Sequence, residues 1–137
     1  MRRISAFLAG ALITGSVLAA CGGGDEVTKA DYIKKADKIC EASKAEMDKL
    51  GDPTTEEEFN ALVPKAIQIE RDQIKALRAL DTPKADGETL KSLFDQVEEA
   101  TNRIEDNPSV LFSGTEDPFA ASSKAAGDYG FRVCGGN

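Results

Sequence analysis

Apolar positions along the chain recur at alternating spacings of three and four in several long stretches, the pattern of helices that each bury one stripe. The first stretch carries Ile33, Ala36, Cys40, Ser43, Met47 and Leu50. Thr28, followed three residues later by Asp31, has the shape of a capping box at its start. Gly51 and Pro53 supply the stop, since glycine accepts the left-handed conformation past a helix end and proline cannot continue the ladder.

The second stretch repeats the start signal with Thr55 and Glu58, then runs through Phe59, Leu62, Ala66, Ile69, Gln73, Leu77 and Leu80, reinforced by Val63, Ile67 and Ile74. Pro64 lacks an amide donor and crowds the carbonyl four residues back, so a kink or short break is expected there. Pro83 is set for the first position of a third helix, with Leu90, Leu93, Val97, Ala100 and Ile104 as its stripe and Asn107–Pro108 as its end. Gly87 should fray its first turn. Val110, Leu111 and Phe112 read as an apolar plug in the following loop. A fourth, less apolar helix is expected from about Asp117, with Pro118 at its first position, through Phe119, Ser122, Ala126 and Tyr129 to Gly130.

No stretch shows period-two alternation between turn signals, and no internal repeat is evident, so the fold class is all α. Four helices joined by short turns most simply make an up-down-up-down bundle, here over residues 28–137.

The first twenty residues fall outside that pattern. Met1, Arg2 and Arg3 are followed by an uncharged run from Ile4 to Ala20 that is short for a bilayer span, as in a secretory signal peptide. Leu18, Ala19, Ala20 and Cys21 resemble the lipobox of bacterial lipoproteins. That resemblance implies removal of residues 1–20 and a diacylglyceryl group on the Cys21 thiol, leaving the protein held by its acyl chains on the outer face of the cell membrane. A two-chain anchor is firm, at roughly 0.8 kcal/mol per buried methylene. Paired arginines can mark the twin-arginine route, but here they read as orientation charge for the general one. Residues 21–27, with Gly22, Gly23 and Gly24, then form a short flexible tether.

The chain carries 17 basic and 24 acidic residues, a formal charge of −7, and loss of Arg2 and Arg3 would deepen the excess of acid. Such a surface repels nucleic acid and anionic lipid. With Cys21 given to lipid, Cys40 and Cys134 remain in an exported chain and are expected to form a disulfide, which requires the tail after Gly130 to fold back along the first helix.

The stretches ADYIKKADKIC (30–40), IKALRALDTPKAD (74–86) and DYGFRVCG (128–135) together resemble small helical two-cysteine lipoproteins of high-GC Gram-positive bacteria. The resemblance implies an envelope lipoprotein of that build and brings no catalytic residues with it.

Chemistry must then be sought in the residues themselves. The chain has no histidine, which removes the commonest general base and histidine metal ligands. Glu56, Glu57 and Glu58, or Glu98 and Glu99, are acid–base candidates by proximity only, because adjacent helical residues point about 100° apart. DTPKADGE (81–88) has oxygen ligands without the alternating spacing of a calcium loop. No cofactor and no metal are expected. Tyr32, Tyr129 and Gln73 are the candidate ligand-binding residues, the last because a buried amide needs partners. The expectation is a non-enzymatic binding or interaction module for an envelope protein or small ligand, with a carboxylate-dependent envelope enzyme and a passive structural protein as the alternatives.

Overall fold

A computed structural model describes residues 26–111 and 117–135. The leader, Cys21, most of the tether, Phe112 and Gly136 lie outside those residues. Among the described residues there are four α-helices and no strand: α1 (Lys29–Asp48), α2 (Glu56–Arg78), α3 (Gly87–Asp106) and α4 (Ala120–Tyr129), with a short 3-10 helix at Pro108–Leu111 between the last two. Each helix packs against the next in sequence.

The starts of α1 and α2 follow from their capping residues. The Thr28 hydroxyl accepts from the Asp31 amide at 3.1 Å and donates to the Asp31 carboxylate at 2.7 Å. The Thr55 hydroxyl accepts from the Glu58 amide, while the Glu58 carboxylate turns back to the amide and hydroxyl of Thr54. These bonds satisfy amides that a helix start otherwise leaves open. Gly51 takes a φ of 77° just beyond α1, as a stop signal requires.

Three boundaries differ from the sequence reading. The second helix passes through Pro64 without a break. Pro64 and Asn60 are both exposed, so the carbonyl deprived of its partner faces water while Val63 and Ile67 hold the buried side. The third helix starts at Gly87 rather than Pro83: Pro83 opens a single turn closed by the Asp86 amide on its carbonyl at 2.9 Å, and Asp86 then takes the N-cap position without a side-chain cap bond. The fourth starts at Ala120, because Asp117, Pro118 and Phe119 form a turn in which the Asp117 carboxylate accepts from the Phe119 amide at 2.9 Å. The plug is also only partial. Val110 packs against the core, whereas Leu111 is an exposed large apolar residue.

The end of α4 determines how the bundle closes. Gly130 sits at φ 111°, and the amides of Gly130 and Phe131 bond back to the carbonyls of Gly127 and Ala126. This is a Schellman turn, which reverses the chain. It drops Phe131 into the core at 2% exposure and sends the tail along α1. There the Asp37 carboxylate accepts from the backbone amides of Arg132, Val133 and Cys134, and Cys40 is bonded to Cys134 with the Cα atoms 5.3 Å apart. The disulfide and the returning tail are as the sequence implies.

The buried side chains fall into two groups. The larger joins all four helices and the tail around Tyr32, Leu77, Leu90, Phe94, Tyr129 and Phe131. The smaller consists of Val63, Ile67 and Ile104, with Phe59, Val110 and Phe119 packed on it.

Candidate functional site

A cleft of two lobes lies against the core groups, the first lined by side chains of the larger group and the second by those of the smaller. Its first lobe, about 410 Å³, is walled by α1, α2, α3 and α4 and closed at one end by the Cys40–Cys134 disulfide with Phe131 and Val133 of the tail. Its second lobe, about 260 Å³, is lined by Leu50, Pro53, Phe59, Leu62, Val63, Ala66, Ile67 and Ile104 and is almost wholly apolar. Met47, Glu70 and Phe119 line both lobes and mark their junction. Together the lobes reach the size of small-molecule sites, roughly 300–1,000 Å³.

The polar groups of the cleft come from few positions. Glu70 is half-buried and accepts from the Gln73 side-chain amide at 3.1 Å. Burial pushes its carboxyl above the usual range, because desolvation disfavours the charged form. No cation pairs with Glu70 among the described residues. Lys44 and Asp48, at the exposed α1 rim, are bonded to one another at 3.1 Å. The Ser122 hydroxyl is spent on the Phe119 carbonyl.

Of the residues singled out from sequence, Gln73 lines the first lobe, and Cys40 and Cys134 form its end wall. Tyr32 and Tyr129 line neither lobe. They belong to an aromatic cluster with Phe131, with ring centroids 4.9 to 6.4 Å apart, and their hydroxyls are already engaged. Tyr129 donates to the Asp86 carboxylate at 2.7 Å, and the Tyr32 hydroxyl lies 3.5 Å from the Leu77 carbonyl. Burial raises the Tyr32 hydroxyl to about 12, and burial followed by the Asp86 bond raises Tyr129 further. Both are structural residues of the core.

The adjacent glutamates do not converge. Glu58 is bonded to Thr54, which holds its carboxyl below the usual range, and Glu98 pairs with Arg78, itself shared with Asp95. Among the described residues, no three histidine, cysteine, aspartate or glutamate side chains come together as a metal site, and no helix is long and apolar enough to cross a membrane.

Glu70 is the cleft residue that the sequence reading missed. The signal was present, since Ala66, Glu70, Gln73 and Leu77 are spaced four, three and four, which places the carboxyl on the same stripe. Ile69, one position earlier, is apolar and took its place. No family model, curated protein or solved structure matches the chain.

Proposed function

We propose that the protein is a membrane-tethered lipoprotein that binds a small ligand in the cleft between its helices and has no catalytic activity. The observation that carries this reading is the two-lobed cleft itself, built by all four helices and the tail, with one apolar lobe and one half-buried carboxyl at the junction. Pockets of this kind, mostly apolar with a few polar groups that fix orientation, suit binding. Glu70 faces Gln73 rather than a second acid or a base, which suits recognition better than proton transfer. The lipobox resemblance at Cys21 and the leader before it support placement on the outer face of the membrane.

Two linked experiments test the reading. Wild-type protein should sediment with membranes and Cys21→Ser should not, because that substitution removes the acyl acceptor. An environment-sensitive apolar dye should bind the folded protein and be excluded by Ala66→Phe, which fills the second lobe. Sedimentation unchanged by Cys21→Ser overturns the tether, and dye binding unchanged by Ala66→Phe overturns the cleft as the site.

A further inference from the structure

We infer that the cleft takes a small amphiphilic cation, an ammonium group carrying a hydrocarbon tail, with the tail in the second lobe and the ammonium against Glu70. The inference rests on the binding reading above and adds the chemical class of the ligand. Three features of the cleft support it.

The second lobe presents carbon on nearly every side, from Phe59, Leu62, Val63, Ala66, Ile67 and Ile104, so the group it holds must be hydrocarbon. The junction offers a carboxyl whose one bonded partner among the described residues is the neutral amide of Gln73, so an acceptor oxygen remains for a donor on the ligand. Among the described residues, the charges that line the cleft are Glu70 on α2 with Lys44 and Asp48 on α1; α3, α4 and the described tail add none. Lys44 and Asp48 cancel one another, which leaves one uncompensated negative charge at the place where a cation is favoured. An ammonium there would donate to a charged acceptor, the stronger class of hydrogen bond. A carboxylate ligand of the same length would meet Glu70 as a like charge. The surplus of acidic residues over the whole chain attracts cations toward the surface as well.

Met47 makes the test site-specific. The chain has 2 methionines, Met1 and Met47, and Met47 lies at the junction of the lobes. The full chain, labelled at its methionine methyl groups, would be titrated with hexylammonium, hexanol and hexanoate at about 0.15 M salt, which screens exposed charge. The expected result is movement of the Met47 methyl signal at concentrations about tenfold lower for hexylammonium than for the other two, the advantage of a bond to a charged group. Glu70→Gln should bring hexylammonium level with hexanol while hexanol binding persists, showing that the cleft is intact. Equal binding of all three probes to the wild type overturns the cation preference and leaves the cleft as a binding site. A preference that survives Glu70→Gln places the ammonium elsewhere and overturns the role of Glu70. A Met47 signal that moves with none of the probes overturns the binding reading as well.

Discussion

Asp37 shows how much one side chain can do at the residue scale. Its carboxylate gathers three successive backbone amides of the tail, of which those of Val133 and Cys134 would otherwise lie half-buried against α1 without this partner. Asp37→Ala should cost about 1–3 kcal/mol in urea unfolding, the penalty for stranding such donors, and Asp37→Asn should recover part of it. The tyrosines set the alkaline limit. Both hydroxyls titrate above the ordinary value near 10, so their stabilisation is complete below that pH and is lost as the pH climbs through the raised values. Unfolding by base should therefore begin above about pH 10, and Tyr129→Phe together with Tyr32→Phe should flatten that slope. Glu70 works in the same direction at lower pH. Its raised value means the fold favours the protonated acid, so stability falls as the pH rises past the usual carboxyl range, and Glu70→Gln should raise the thermal midpoint at pH 7. The roles of Asp37 and Asp86 were poorly legible because their partners lie far along the chain. Only long-range packing brings Asp37 to the tail amides and Asp86 to the Tyr129 hydroxyl.

At the scale of elements, the helix starts rest on local chemistry that the sequence states openly. Thr28→Ala and Thr55→Ala should each cost about 1 kcal/mol, and the two losses should add because the caps lie on different helices. Gly130→Ala should cost more, about 1–2 kcal/mol from the left-handed backbone alone, and a Cβ there would stand 3.3 Å from the Ile33 side chain. Guanidine titrations of the three variants check both statements. The spans of α1 and α2 were legible because apolar spacing and caps agree along them, with Pro64 in α2 as the one conflicting signal. The starts of α3 and α4 were not, because Pro83 and Pro118 each open a turn before the helix rather than the helix itself. Thr101 also escaped the reading: it is fully buried on α3, its hydroxyl bonded back to the Val97 carbonyl at 2.8 Å. A polar residue satisfied by its own helix gives no sign of itself in an apolar pattern.

At the scale of the whole molecule, one covalent bond ties the tail after α4 to the middle of α1 and walls one end of the cleft. The bridge closes a loop of sequence separation 94, and loops of that size are worth roughly 4–5 kcal/mol through the unfolded state. A Cys40→Ser, Cys134→Ser double variant should lose about that much in urea. The helical class and the pairing of Cys40 with Cys134 could be read from the sequence. The cleft could not, because its lining gathers residues from all four helices and the tail, and that is a property of packing rather than of any stretch of chain. Its proposed role and the proposed tether meet in one measurement, a native mass spectrum of the protein extracted gently from its own membranes. The account predicts a chain that begins at Cys21, carries acyl mass there, lacks two hydrogens for the disulfide, and holds a small additional mass that leaves on collisional activation. An unacylated Cys21, or a chain that never carries a releasable small molecule, would contradict it.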